Sequence, residues 1–216
     1  RGCMSFTDLV LNTKFYVPPS SSSLVARPGV LKKLEQGLTH AVTLVSAPAG
    51  FGKTTLLCEW FASEAGKLNP FAWLSLDPED NNTARFLLYL AVSLDVLQQG
   101  ISDSVLPLFQ MNQLPASDIV LTSLINKLTE TLQTPFIVVL DDYHVITSPP
   151  VHEALLFLIE NLPLQMRLVI LTRKDPPLPL ARLRVRQQLT EIRAVDLRFS
   201  LEDSSVFLNQ IMKLGL

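Results

Sequence analysis

The sequence predicts an α/β fold, in which a parallel β-sheet carries helices on both faces. Short apolar segments alternate along the chain with longer segments whose apolar residues recur every three or four positions. The strand-like segments are residues 41–47, 71–76, 136–141 and 168–172, and the main helix-like segments are residues 29–38, 54–65, 83–99, 117–132 and 150–161. Continuous apolar strands joined by helix-length connections are typical of parallel sheets, because each connection must carry the chain back along the sheet. A glycine-rich turn between the first strand and its helix supports the same fold class.

Composition sets limits on the class of protein. The chain has 216 residues, of which 48% are hydrophobic and 18% charged, as in globular domains with a sizeable core. Its formal net charge of −2 argues against nucleic-acid binding by this chain alone, since such binding needs a surplus of Lys and Arg. The cysteines, Cys3 and Cys58, lack metal-ligand spacing, and we interpret Cys58 as a small buried residue. With no leader-like or membrane-spanning pattern, we expect a cytoplasmic protein that has no membrane partner.

The remaining segments are assigned by their local patterns. Residues 16–29 are rich in Pro and Ser and are interpreted as an extended lead-in to the first helix. Residues 100–116 have weak periodicity, which predicts a loop or a short helical insertion. Residues 194–199 are interpreted as the last strand or the edge of a further domain, and residues 200–215 as a new helix. We therefore expect a lead-in over residues 1–23, the α/β domain over residues 24–199 and the first helix of a following helical domain over residues 200–216.

The turn after the first strand is one substitution away from the phosphate-binding template G-x-x-x-x-G-K-[ST], the P-loop or Walker A motif. Ala47 stands where the first glycine is expected, and Gly52, Lys53 and Thr54 complete the motif. A strand that ends in such a turn and leads into a helix directs backbone N–H groups and the positive helix end at an anion. A flexible turn with an exposed lysine is the alternative. The residues predicted to hold the nucleotide are Ala49, Gly50, Phe51, Gly52, Lys53, Thr54 and Thr55.

Two consecutive carboxylates lie at the C-terminal end of the strand-like segment 136–141. Asp141 has the position of a Walker B residue, which with the Thr54 hydroxyl would hold Mg²⁺. Asp142 is predicted to polarise the attacking water as a catalytic residue. A helix-capping turn is the alternative interpretation of this pair, since Asp favours such positions.

Arg173 follows the next strand-like segment, at the sheet edge where phosphates bind in open α/β folds. Its guanidinium is predicted to sense a γ-phosphate and is our second candidate catalytic residue, although a surface arginine after a strand is also common. One strand lies between the Walker A and Walker B segments, and an acidic residue follows Asp141 directly. Both features resemble the additional-strand branch of P-loop ATPases, so the sequence favours an ATPase over a GTPase.

Other polar residues are assigned less specific roles. Asp80 and Asn82 are interpreted as N-caps of the helix that begins near Thr83, although the segment could also reach the nucleotide edge. His144 and His152 have no metal-ligand partners at suitable spacing and are interpreted as structural. The arginines of the segment 181–189 face either solvent or a neighbouring protomer; they are Arg182, Arg184 and Arg186.

Almost the whole chain from Lys14 to Phe207 resembles the signal-transduction ATPases with numerous domains (STAND), and within them the MalT-like, LuxR-type transcriptional activators. The similar segments include KFYVPP, LVARPGVLKKL, LVSAPAGFGKTTLLCEW, AWLSLDPEDN, FIVVLDDYHVI and LVILTRKDPPLPLARLRVRQQL. In this family the alanine at position 47 is ordinary. The resemblance implies an additional-strand P-loop fold of the AAA+ and STAND type.

The resemblance also implies a function. Such a domain switches between an ADP-held resting form and an ATP-held form that self-associates, with slow hydrolysis as the reset and with ATP or ADP and Mg²⁺ as cofactors. A sensor for an inducer and a C-terminal DNA-binding module would normally follow it. The family places the ARP segment near the adenine, which makes Arg27 and Pro28 candidate base contacts, whereas a rigid linker turn is the alternative. A metabolic phosphotransferase and an interaction scaffold with a degenerate site are the competing functions.

Overall fold

The computed structural model describes residues 10–18, 28–111, 113 and 115–198. The strands are β1 (Val42–Ser46), β2 (Phe71–Ser75), β3 (Phe136–Asp141), β4 (Met166–Thr172) and β5 (Leu189–Arg193). The helices are α1 (Pro28–Gly37), α2 (Lys53–Ala62), α3 (Glu64–Lys67), α4 (Thr83–Ser93), α5 (Leu106–Phe109), α6 (Ser117–Thr131), α7 (Pro149–Glu160), α8 (Leu180–Val185) and α9 (Ala194–Leu197). Within these ranges no helix is both long and apolar enough to cross a membrane.

The five strands form one parallel sheet in the order β2-β3-β4-β1-β5. The strand that separates β1 from β3 in the sheet is β4, so the additional-strand arrangement expected from the sequence is confirmed. In this register Ser46 pairs with Thr172 and Arg193, and Ser75 pairs with Asp141. The carboxyl ends of the strands therefore lie along one edge, which is where ligands bind in open α/β sheets.

Helices cover both faces of the sheet, as predicted. Successive strand residues point to opposite faces, so Leu44 belongs to a buried cluster with α4, α6 and α7, whereas Val45 belongs to a second cluster with α1 and α2. The Cys58 side chain is buried on α2, as expected, and burial raises the pKa of its thiol to about 11. The thiol is thus a small packing residue at neutral pH.

Four helix-like segments coincide with α1, α2, α6 and α7 to within a few residues, whereas the segment 83–99 was predicted too long, because α4 ends at Ser93 and a 3₁₀ turn (Leu94–Val96) follows it. Residues 100–116 carry a 3₁₀ turn and the short α5, as predicted. For residues 194–199, the strand alternative was wrong, because residues 194–197 form the short helix α9. Among the described residues, the strand nearest the C-terminus is β5, and the alternative of a domain edge stays a prediction. The predicted helix over residues 200–215 lies outside the described residues, and the domain boundaries stay predictions.

An N-terminal strap, residues 10–18, lies against the edge strand β2 and is tied down by charge. Lys14, in a 3₁₀ turn (Asn12–Phe15), is buried and forms ion pairs with Asp77 at 2.8 Å and with the fully buried Asp80. Arg85 also pairs with Asp80, at 3.1 Å, and both cations lie over the Tyr89 ring. Asp80 is therefore a partner of Lys14 and Arg85 rather than an N-cap of α4. Asn82 caps α4 as predicted, because its side chain accepts a hydrogen bond from the Arg85 N–H.

We expect Lys14→Met to lower the free energy of unfolding by about 3 kcal/mol, because it leaves part of the Asp80 charge buried without a partner. The matched control is Lys67→Met, which removes an ion pair of similar length to Glu64, at 2.7 Å, on the exposed α3. That change should cost less than about 1 kcal/mol. Urea denaturation of both variants measures the difference, and equal losses would show that the strap is not held by this cluster.

Candidate nucleotide-binding site

The turn between β1 and α2 has the backbone shape of an anion-binding loop. β1 ends at Ser46 and α2 begins at Lys53, and the turn between them has Gly50 at φ +81° and Gly52 at φ +72°. A side chain at either glycine would strain that left-handed conformation. Among the described non-glycine residues, positive φ occurs at Asp142 and Gln187, so Ala47 needs no glycine conformation, and alanine is compatible with its position.

The loop presents N–H groups to solvent. Ala49 and Gly50 are exposed. In the described part of the chain, the backbone N–H groups of Ala49, Gly50 and Phe51 donate to no protein acceptor. Successive N–H groups of this kind at the start of a helix form a concave site for an anion.

The Lys53 side chain reaches back across this loop. Its ammonium donates to the carbonyl oxygens of Ala47 at 2.8 Å and Pro48 at 3.0 Å. Burial lowers the pKa of Lys53, and the positive charge of Arg173 lowers it further, while the Asp142 and Asp141 carboxylates oppose both effects. The ammonium is thus held beside the loop by neutral carbonyls, which a phosphate oxygen would replace as a stronger acceptor.

Asp141, at the end of β3, lies beside the first turn of α2. The Thr54 hydroxyl lies 3.3 Å from Asp141 Oδ1 and 3.2 Å from Oδ2, and the Asp142 N–H donates to Oδ1 at 2.8 Å. Burial raises the pKa of Asp141 to about 6, with the Asp142 charge as the second cause, although hydrogen bonds and Lys53 act against the shift. A cation bound nearby would stabilise the ionised form of Asp141 and lower its pKa.

These two oxygen-bearing side chains fit a magnesium ion that arrives with a nucleotide. Mg²⁺ prefers hard oxygen ligands and is usually held by one or two carboxylates together with substrate phosphates. Thr54 and Asp141 supply a hydroxyl and a carboxylate at adjoining positions. Among the described residues, no three acidic, His or Cys side chains come together as a metal site. A metal at Thr54 and Asp141 would therefore need further ligands from the nucleotide.

Asp142 and Arg173 also line the open cavity above the loop, which has a volume of about 350 Å³. Asp142 has φ 56°, a left-handed conformation that directs the chain into a 3₁₀ turn (Tyr143–Val145). Arg173 directly follows β4 and is exposed. The acidic and the basic side chains expected from the sequence therefore share one cavity.

The structure brings most of the predicted nucleotide contacts together in the cavity, but not all of them. Six of the predicted nucleotide contacts line the cavity, namely Ala49, Gly50, Gly52, Lys53, Thr54 and Thr55. Phe51 instead packs against the buried cluster that includes α1 and α2. Arg27 lies outside the described residues, and Pro28 begins α1 without a described side chain.

Several polar residues at the same edge were not predicted. His144 Nδ1 lies 3.5 Å from Asp142 Oδ1, so His144, interpreted from sequence as structural, adjoins the site. Arg193, at the end of β5, pairs with Asp175, which also accepts a hydrogen bond from the Ser46 hydroxyl at 3.2 Å. Asp175 therefore connects the loop after Arg173 to the ends of β1 and β5. Only the recognition of β5 as a strand would have placed Arg193 here.

Of the three arginines in and directly after α8, two form ion pairs within the chain. Arg182 pairs with Glu160 at 2.7 Å, and Arg184 makes two hydrogen bonds to Glu191, at 2.6 and 2.9 Å. Arg186 is exposed. A role for Arg182 or Arg184 at a neighbouring protomer would therefore require an existing ion pair to break.

The chain is similar in sequence to part of known transcriptional regulators. No protein-family model matches the chain. The HTH-type transcriptional regulator MalT of Serratia proteamaculans is 34% identical over 199 residues, and that of Yersinia enterocolitica is 33% identical over the same length. Each alignment covers 92% of this chain and 22% of the regulator, so the chain spans about a fifth of the length of these relatives.

A solved structure agrees in fold. The crystal structure of a signal transduction ATPase with numerous domains, which has a tetratricopeptide repeat sensor and comes from Pyrococcus horikoshii, superimposes with a TM-score of 0.64. It is 16% identical in sequence, and the match covers 93% of this chain and 27% of that one. The chain is therefore similar in sequence to about a fifth of the length of the MalT regulators, and its P-loop fold is like that of the STAND ATPase.

Proposed function

We propose that this chain is the ATP- and ADP-binding switch domain of a transcriptional regulator, and that slow hydrolysis of ATP resets its active, self-associating state. The observation that carries the proposal is the cavity at the carboxyl edge of the sheet, where the P-loop, Asp142 and Arg173 meet beside the Thr54–Asp141 pair. The similarity to MalT regulators supports a regulatory rather than a metabolic role. Contact with DNA and with an inducer would belong to other parts of such a protein.

Each side chain would act on a different part of the nucleotide. The loop N–H groups and Lys53 would bind the phosphate oxygens, while Thr54 and Asp141 would hold Mg²⁺, which neutralises phosphate charge when bound. Asp142 would accept a proton from the attacking water, or orient that water, from its half-exposed position on the cavity wall. Arg173 would stabilise the negative charge that develops on the transferred phosphoryl group.

Nucleotide binding should be visible as a rise in thermal stability. A ligand that binds only the folded state at a thousandfold excess over its Kd adds about 4 kcal/mol of stability, which is a large part of the stability of a typical domain. We expect ADP and ATP with Mg²⁺ to raise the Tm in a thermal-shift assay. GTP at the same concentration tests the preference for adenine nucleotides. A turnover assay with an added acceptor tests the alternative of a metabolic phosphotransferase. If neither adenine nucleotide changes the Tm, the proposal fails.

The affinity gained from Mg²⁺ should depend on pH because Asp141 must be ionised to hold the metal. Since the pKa of Asp141 is raised to about 6, the carboxylate dominates at pH 7 and the neutral acid at pH 5. The Mg²⁺-dependent part of ADP affinity should therefore hold above pH 7 and fall by up to about tenfold per pH unit below 6.

The Asp142→Asn variant separates this effect from the titration of ADP itself, which is the same in both proteins. Because the Asp142 charge is the second cause of the raised Asp141 pKa, removing it should move the midpoint to lower pH. Isothermal titration calorimetry of ADP with and without Mg²⁺ from pH 5 to 8 measures the midpoints. Coincident curves for the two proteins would contradict the assignment of Asp141 as the titrating ligand.

A further inference from the structure

Asn81 joins two loops that are distant in sequence. It ends a 3₁₀ turn (Pro78–Asn81) after β2, and its side-chain amide donates to the carbonyl oxygens of Pro78 at 2.9 Å and Val145 at 3.0 Å. Its side-chain oxygen accepts from the N–H groups of Thr147 at 2.7 Å and Ser148 at 2.8 Å. Both donors and the acceptor of the amide are therefore used, and three of these four bonds hold the loop after β3.

The loop that Asn81 holds starts at Asp142. The Val145 N–H donates to the Asp142 carbonyl at 3.1 Å, which closes the 3₁₀ turn, and the Val145 carbonyl then meets Asn81. A second anchor lies in the middle of the turn, where the buried Tyr143 hydroxyl lies 2.7 Å from His152 Nδ1. With its middle fixed by His152 and its end by Asn81, the turn has little freedom to rotate the Asp142 backbone.

The support of Asn81 is itself rigid. Asp77 and Asp80 form a capping box at the start of the Pro78–Asn81 turn, and the buried Asp80 is paired with Lys14 and Arg85. Asn81 does not line the open cavity above the P-loop, which we call the phosphate cavity. Its effect on a bound nucleotide must therefore pass through the loop that carries Asp142.

We propose that Asn81 is a positioning residue, whose amide holds the turn after β3 so that Asp142 faces the phosphate cavity. This inference rests on the proposed hydrolysis of ATP. It adds to that reaction a supporting residue from the loop after β2. A displaced Asp142 would slow the chemical step more than it weakens nucleotide binding, because the loop N–H groups and Lys53 bind phosphate independently of this turn. A misplacement of about 1 Å at a reacting group can lower a rate by about 100-fold.

Asn81→Ala and Asn82→Ala form a matched pair of variants. Asn82 is the adjacent residue and caps α4 through the Arg85 N–H at 3.0 Å, yet it forms no hydrogen bond with residues 145–148 of the described chain. We expect both variants to lose stability. Asn81→Ala should lower turnover at saturating ATP by roughly 10- to 100-fold while the Kd for ADP stays within about twofold, and Asn82→Ala should leave both unchanged.

Two further measurements separate positioning from a general loss of structure. In Asn81→Asp the side chain still accepts from Thr147 and Ser148 but donates to no carbonyl, so its turnover should fall between wild type and Asn81→Ala. Hydrogen exchange should accelerate in the peptide that covers residues 143–148 in Asn81→Ala and stay unchanged there in Asn82→Ala.

The outcomes distinguish this inference from the function on which it rests. Wild-type turnover in Asn81→Ala, or equal losses of turnover and ADP affinity, would overturn the positioning role and leave the nucleotide switch intact. A wild-type protein that binds no nucleotide would overturn the proposed function, and the role of Asn81 with it.

Discussion

Lys53→Ala should remove most of the stabilisation that a nucleotide gives to the protein. The ammonium, now held by the Ala47 and Pro48 carbonyls, is expected to contact phosphate oxygens, and charge-assisted hydrogen bonds are worth about 1.5–3 kcal/mol each. Two of them correspond to an affinity loss of about 100-fold or more. At a nucleotide concentration that adds about 4 kcal/mol to the wild type, the variant should gain only about 1.4 kcal/mol.

The control must separate this loss from a damaged loop. Lys53→Ala also leaves the Ala47 and Pro48 carbonyls without their donor, so the Tm without nucleotide has to be measured for every protein. Lys32→Ala removes the same charge from an exposed position on α1 and should respond to ADP like the wild type. If Lys53→Ala keeps the full ADP-dependent rise in Tm, the loop is not the phosphate site.

The parts of the site that could be predicted from sequence depend on local order. A strand, a glycine-rich turn and a helix are adjacent in the chain, so the conformation around Gly50 and Gly52 follows from the residues themselves. Asp141 and Arg173 could also be placed, because Asp141 ends an apolar strand, Arg173 directly follows another, and parallel strands end at the same edge of a sheet. No knowledge of the strand order was needed for either assignment.

The missed strand β5 shows the limit of hydrophobic pattern. Its residues include Glu191 and Arg193, and most of its side chains are half-buried at the edge of the sheet. From sequence, the charges of these two residues would be expected to face solvent. In the structure Glu191 pairs with Arg184, and Arg193 pairs with Asp175. Apolar continuity marks central strands, whereas an edge strand is identified by its partner strand, here β1.

Asn81 and Asp80 fail to be predicted for a related reason. Both lie in a segment whose composition indicates capping of the following helix, and it is their neighbour Asn82 that caps α4. The partners of Asp80 and Asn81 include Lys14 and the loop 145–148, which are more than 60 positions away in the chain. Such contacts depend on the packing of β2 against β3 and of the N-terminal strap against β2, which local propensity does not specify.

Asp142→Asn should separate hydrolysis from binding. Asparagine tolerates the left-handed φ of 56° at this position as well as aspartate does, so the turn after β3 should keep its conformation. The amide cannot take a proton from water, and loss of a general base lowers the chemical rate by about 10²- to 10⁴-fold. We therefore expect the turnover rate to fall by at least about 100-fold while ADP binds with an affinity within a few-fold of that of the wild type.

Binding should survive this change for an electrostatic reason. The Asp142 charge raises the pKa of the adjoining Asp141, so its removal favours the ionised form of Asp141 that holds Mg²⁺. Asp118→Asn, the same substitution on the exposed first turn of α6, is the control for the loss of one negative charge and should hydrolyse ATP like the wild type. Single-turnover hydrolysis and ADP titration at pH 7.5 give the two quantities. Parallel losses of rate and affinity would mean that Asp142 contributes to holding the nucleotide, because a proton acceptor alone would affect only the rate.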